Sequence, residues 1–342
     1  MVRPVRRQPR RHPPQGLQHV TRSAHLRPEP LLLTMAKKLF HLILTSLLLG
    51  CTADRAPGAL FGPAAEPALV VDALLIVGQP LPLLYLRRTA APGAVYDREV
   101  LAVSSAQVLI RQGRQEFAYQ ADPDSAGRYL PTSAPKVQAQ ATYDLEVQVE
   151  NRQLRARTTT PPQLRVSEAL LLDEQALTLK NRLKLFREVG NAAYAAPENQ
   201  LRYLDGLLEV RFAPVQAAGY QVAIFSLDPA SPFLVDADFV GDQDAGNFER
   251  QGNSPPLAAT AEGKVSLPWF AVAYGGRHLF KVYALDQNWY DYTRTNPAEN
   301  PGFGGGLAGD SFERPLFPIE GGIGLFGSAS VDSVGFFVLP RN

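Results

Sequence analysis

Residues 141–150, ATYDLEVQVE, alternate without a break. Tyr143, Leu145, Val147 and Val149 fall on one face, and Asp144, Glu146, Gln148 and Glu150 fall on the other. A period of two places successive side chains on opposite faces of an extended strand, so one face is greasy and the other wet. Such a strand is not stable alone; it needs a sheet and a second layer over its apolar face. The runs around it have the same character. Residues 69–77 are nearly all apolar, and 83–88 come next. Residues 106–110 and 116–120 flank RQGRQ, which predicts a hairpin with Gly113 in its turn. After Asn151 and Arg152 the chain returns through 154–159. About seven short strands over residues 68–162 predict a β-sandwich. Thr158-Thr159-Thr160-Pro161-Pro162 closes it.

Residues 163–342 predict a second β-rich domain, so the fold class is all-β with at most one or two short helices. Residues 174–189 fit two patterns. Leu179, Leu183 and Phe186 have helical spacing with Gly190 as a cap, and LTLK-NR-LKLF also reads as a hairpin. Residues 207–212 and 220–227 predict a hairpin across PVQAAG. Residues 265–274 and 278–286 predict another, turning at Gly275-Gly276. The last two strands are expected at 324–328 and 335–339.

Composition excludes several chemistries. The only cysteine is Cys51, so residues after it can form no disulfide and hold no cysteine nucleophile. Beyond residue 50 the only histidine is His278. A zinc site built on several His or Cys ligands is therefore excluded. A Ser-His-Asp triad could use only His278, and no G-x-S-x-G elbow accompanies it.

Cys51 closes an apolar run, residues 39–50, preceded by Met35, Lys37 and Lys38. The run is too short to span a bilayer, which needs about 20 apolar residues. It fits the core of a signal peptide at 35–50. Leu48-Leu49-Gly50-Cys51 resembles the lipobox of bacterial lipoproteins, in which the cysteine thiol is acylated and the chain is cut before it. Two or three acyl chains hold a protein stably on a membrane. Residues 51–67, rich in Ala, Pro and Gly, are expected to be a flexible tether. Residues 1–34 carry seven arginines and one acid, Glu29. They read as a basic disordered arm or, preferably, as a mis-assigned upstream start. From residue 51 on, 25 basic and 32 acidic residues remain, a net charge of −7. An acidic body argues against nucleic acid as a partner.

Three features are candidates for a site. Asp236, Asp238, Asp242 and Asp244 in DADFVGDQDAGN are oxygen ligands of the kind calcium takes, although the spacing is not that of an EF-hand. Otherwise no cofactor is expected. Trp269, Trp289, Tyr290 and Tyr292 are candidate ligand-binding aromatics, because exposed rings stack on sugars or anchor a partner. Asp286 and Asp291, beside Trp289, are the one carboxylate pair that a glycan hydrolase would use. The stretch PGFGGGLAGD, 301–310, lacks the Lys of a phosphate loop and reads as a mobile loop.

The order of these segments resembles a large uncharacterised family of Bacteroidota-type outer-membrane lipoproteins. The residues that carry the resemblance are LVVDALLIVGQPLPLLYLRRT, AQVLIRQGRQEFAY, GRY, ATYDLEVQVENRQLRARTTTP, FKVYALDQNWYDYTR and FPIEGGIGLFGSAS. In the last of these, Gly321, Gly322, Gly324, Phe326 and Gly327 form the G-G-x-G-x-F-G pattern. The resemblance implies an immunoglobulin-like or prealbumin-like first domain and a β-rich second part. It implies a lipid-anchored outer-membrane protein, an accessory to a TonB-dependent transporter, with no catalytic residues. A carbohydrate-binding module or glycan hydrolase, and a purely structural envelope or adhesion protein, are the alternatives. A glycan or peptide is the expected ligand. Periplasmic and surface exposure both remain open.

Overall fold

The structure is a computed structural model, and it describes residues 67–91, 94–202, 206–235, 250–258, 262–267, 271–295 and 315–340. The first seven strands are β1 (Leu69–Ile76), β2 (Leu84–Arg88), β3 (Gln107–Gln112), β4 (Gln115–Ala121), β5 (Arg128–Pro131), β6 (Thr142–Val149) and β7 (Arg152–Thr159). The expected RQGRQ hairpin is present, with Gln112 opposite Gln115. The alternating stretch is β6, and Tyr143, Leu145, Val147 and Val149 are all buried.

The second part contains β8 (Val166–Leu172), β9 (Leu179–Arg182), β10 (Gln200–Arg202), β11 (Leu207–Phe212), β12 (Gly219–Ser226), β13 (Gln251–Asn253), β14 (Leu257–Ala258), β15 (Lys264–Leu267), β16 (Gly276–Leu285) and β17 (Ile323–Leu339). Its two short α-helices are α1 (Asn191–Ala195) and α2 (Gln287–Thr295). The fold is all-β, as the sequence predicts.

One strand organises the whole. β17 runs for 17 residues, roughly 56 Å at about 3.3 Å per residue. Its first half pairs in parallel with β1, from Val70 opposite Ile323 to Ile76 opposite Ala329. From Ala329 to Val338 it pairs antiparallel with β16. The sheet therefore runs β13-β12-β16-β17-β1-β2-β5-β4-β3-β6-β7. The β1–β7 part rolls over, and Arg155 on β7 exchanges backbone hydrogen bonds of 3.1 and 2.8 Å with Glu320, just ahead of β17. The glycines of the G-G-x-G-x-F-G segment make this closure possible. A Cβ on Gly324, where φ is +113°, would lie 2.0 Å from the Val71 carbonyl oxygen, and one on Gly322 would lie 2.5 Å from Leu154 Cδ2. Phe326 points inward and is fully buried in the first core with Leu69, Leu86, Tyr143 and Leu154. Burying such a ring contributes about 1.5–3 kcal/mol.

The second core lies between a four-stranded sheet, β15-β11-β8-β9, and the β12-β16-β17 face of the long sheet. Ala156 belongs to the first core and Leu164 to the second, so the chain passes from one to the other across Thr158–Pro162.

Several local expectations are corrected. Strands β11 and β12 are consecutive in the chain but do not pair; β11 lies in the four-stranded sheet between β8 and β15, and β12 pairs with β16. Likewise β15 pairs with β11 and not with β16. Covering both faces of a core with consecutive strands sends each to a different layer, which neighbouring apolar patterns cannot reveal. Residues 174–189 form no helix. Strand β9 folds back on β8, and Asn181 and Arg182 lie in the strand and not in a turn. The two expected final strands are one.

Candidate functional site

Helix α2 starts beside the crossing between the cores. Immediately before it stands Asp286, whose carboxylate Oδ1 accepts the backbone N–H of Trp289 at 2.9 Å. An acid one position before a helix satisfies an orphan amide and favours the positive end of the helix dipole. The other oxygen, Oδ2, accepts the Thr158 hydroxyl at 2.5 Å. Thr158 sits on the core face of β7, where the period of two would put an apolar residue. Its oxygen lies 2.8 Å from Ser328 Oγ on β17. Asp286, Thr158 and Ser328 are 6 %, 3 % and 0 % exposed. Burial pushes the Asp286 carboxyl up, and the Thr158 and amide hydrogen bonds pull against it. The three side chains bolt the first core to the second at the point where the chain crosses.

A cleft of about 550 Å³ opens over this junction. Gln140, Arg157, Thr159, Gln216, Gln287 and Asn288 bring amide, hydroxyl and guanidinium groups to it, and Pro161 and Pro162 form part of its wall. Asn288 is held by donation from Nδ2 to the Arg157 carbonyl at 2.7 Å and the Phe326 carbonyl at 2.9 Å. Arg157 Nε donates to Asp144 at 2.6 Å. Such a lining can exchange hydrogen bonds with an uncharged polar ligand, such as a sugar or a peptide backbone. Sequence reasoning missed this set. The one signal was the TTTPP segment, read only as a boundary; the glutamines come from three separate segments.

Three of the candidate aromatics pack helix α2. Trp289, Tyr290 and Tyr292 are half-buried. Trp289 lies over Gly327, where an added Cβ would come 3.1 Å from the Trp289 Cβ, and its ring is 5.6 Å from that of Tyr283. Tyr290 covers Gly219, leaving only 2.5 Å for a Cβ there. The Tyr292 ring is 6.2 Å from Phe317. Trp289 and Tyr290 pack α2 onto β12, β16 and β17, and Tyr292 packs it against the segment ahead of β17. Burial pushes the hydroxyl of Tyr283, beneath Trp289, up to about 12.

The hydrolase pair is divided. Asp286 lines the cleft but its oxygens are engaged by Thr158 and Trp289, whereas Asp291 accepts from Gln287 at 2.8 Å and Arg294 at 3.5 Å and is not a cleft residue. His278 is fully buried on β16. Its Nδ1 donates to the Gly276 carbonyl at 3.0 Å, its ring stacks on Phe336 at 5.3 Å, and Nε2 has no hydrogen-bond partner. Burial holds its pKa below the usual histidine value. Cys51, Trp269, the four aspartates Asp236, Asp238, Asp242 and Asp244, and the glycine-rich stretch 301–310 lie outside the described residues. Among the described residues no group of three His, Cys, Asp or Glu side chains could hold a metal ion.

This is an all-β protein whose two cores share one strand and enclose a polar cleft where they meet. Residues 61–189 match the family model described as "Domain of unknown function (DUF4249)". No curated protein matches. Among solved structures, trypsin-activated alpha-2-macroglobulin from Escherichia coli is similar at 10 % identity over 65 % of this chain and 15 % of that one, with a TM-score of 0.18. The chain thus spans a small part of that protein's length, and a likeness at this level carries no argument about fold or function.

Proposed function

We propose that this chain is a lipid-anchored lipoprotein of the bacterial outer membrane, of Bacteroidota type, that binds a glycan or peptide in an accessory role beside a TonB-dependent transporter. The observation that carries the reading is Cys51 at the end of the 39–50 apolar run with Lys37 and Lys38 ahead of it. Acylation there would tether the body through residues 52–67. The described body begins next to that tether, where Arg152 Nη1 donates to the Pro67 carbonyl at 2.9 Å. Among the described residues no helix is long and apolar enough to cross a membrane. The cleft over Thr158–Pro162 supports the binding role, because its amides suit sugar hydroxyls and peptide groups alike.

The intact mass of the membrane-fraction protein tests the anchor. A mass starting at Cys51 with added acyl chains is expected, together with release of Cys51→Ala from the membrane. A soluble product starting at Met1 would overturn the reading. Crosslinking in intact envelopes tests the role: recovery of a transporter, lost when Gln216 and Gln287 are replaced by alanine, is expected.

A further inference from the structure

The second core carries a separate groove of about 410 Å³, lined by Arg165, Leu185, Phe186, Arg187, Asp332 and Ser333. Its walls are fixed from inside the protein. Asp332 Oδ2 accepts the Val166 N–H at 2.8 Å and Oδ1 accepts the Ser333 N–H at 2.9 Å, so its carboxylate ties the start of β8 to β17. Fully buried Asn199 accepts the Lys184 N–H at 2.7 Å and donates to the carbonyls of Lys184 at 3.0 Å and Gly335 at 2.8 Å. That clamp holds the segment carrying Leu185, Phe186 and Arg187 against β17. Gly335 has no room for a side chain, since a Cβ would come 2.3 Å from Val189 Cγ1.

The guanidinium groups here differ from those of the molecule's ion-paired arginines. Arg128, Arg157, Arg211 and Arg277 all form ion pairs with carboxylates. Arg165 and Arg187 are exposed and have no carboxylate partner among the described residues. Lys184 adds a third positive charge, its ammonium 5.4 Å from the Phe186 ring, and Glu188 is the nearest acid in sequence. Leu185 is 37 % exposed. Two arginines without a carboxylate partner among the described residues, on a fixed groove that also carries the apolar Leu185 and Phe186, define a complementary ligand.

We propose that this groove binds an acidic peptide segment, with carboxylates held by Arg165 and Arg187 and an adjacent apolar side chain against Leu185 and Phe186. Guanidinium forks match carboxylate geometry. Asp332 in the same groove opposes a phosphate dianion more than a single carboxylate. The apolar wall offers nothing to an inorganic anion. The site does not depend on lipid anchoring.

Fluorescence anisotropy of the full chain with a labelled, terminally blocked (Glu-Leu)₃ peptide tests this. Arg165→Gln and Arg187→Gln are each expected to weaken binding about tenfold. Arg114→Gln, in the β3–β4 turn, is expected to change nothing, and affinity should fall as salt rises. Unchanged unfolding midpoints would confirm that the variants remain folded. Binding by the double variant equal to the parent's, equal binding of (Gln-Leu)₃, or displacement of the peptide by an equal concentration of inorganic phosphate would each overturn the proposal.

Discussion

Asp286 and His278 are both buried ionisable groups in the long sheet region, and they are treated in opposite ways. Asp286 accepts a hydroxyl, caps a helix and joins two cores through Thr158 and Ser328. His278 has one hydrogen bond, to Gly276, and leaves Nε2 without a partner among packed aromatic and aliphatic side chains. A buried polar group is retained cheaply when every atom has a partner and costs stability when one does not. The difference shows that burial alone does not mark a residue as structurally important. Its partners do.

The largest effect is expected at Asp286. Asp286→Ala removes the cap and strands the Thr158 hydroxyl, and should lower the unfolding free energy by about 3 kcal/mol in urea titrations. His278→Phe removes one hydrogen bond and one unpaired nitrogen together, and should change stability by less than about 1 kcal/mol. Equal losses for the two would break the contrast.

Thr158→Val should cost about 1–2 kcal/mol. It should also move the Asp286 carboxyl further up, because the hydroxyl that opposes the effect of burial is gone. A carboxyl infrared band tracked against pH would read that shift.

Acid should separate the two groups next. The folded-state pKa of His278 lies below its ordinary value of 6.5. The unfolded chain therefore binds the proton first, and stability falls as pH drops below about 6.5. His278→Phe should flatten that part of the profile. Asp286 has the opposite sign: its folded pKa lies above 3.8, so the folded state holds the proton more tightly and stability falls as pH rises from 3.8 through the folded value. Thermal unfolding of parent and variants between about pH 3 and 7.5 sharpens or removes this distinction, with the pH limits chosen to span these ordinary values.

The smallest effect on stability belongs to the cleft rim. Gln216→Ala, at an exposed position, should change stability by less than about 0.5 kcal/mol. It should still reduce capture of a glycan or peptide, measured on arrays.

Much of the first core was legible because its signals are local. Tyr143, Leu145, Val147 and Val149 alternate within one strand, and Gly113 sits in a two-residue turn between paired strands. Pairing across distance was not legible. Nothing in residues 69–76 indicates that their neighbour is 323–329, because a nearly continuous apolar run names no partner. The packing of the aromatic stretch NWYDYTR was hidden for a related reason. Its rings looked too polar in company to be packing, yet Gly219 and Gly327 on other strands leave flat ground for them. The cleft was invisible because its glutamines and asparagine come from segments far apart in the chain.

Sequence by itself determined the β class, the strand periods, the apolar run that ends at Cys51 and the net acidity of residues 51–342. These depend on neighbours in the chain and on composition. Tertiary structure alone decided that β17 serves two cores, that β11 and β12 part to different sheets, and that Asp286 meets Thr158 and Ser328. Those contacts join residues as far apart as Val70 and Ile323 in the chain, and a pairing over such a separation is selected by the packing of the whole core.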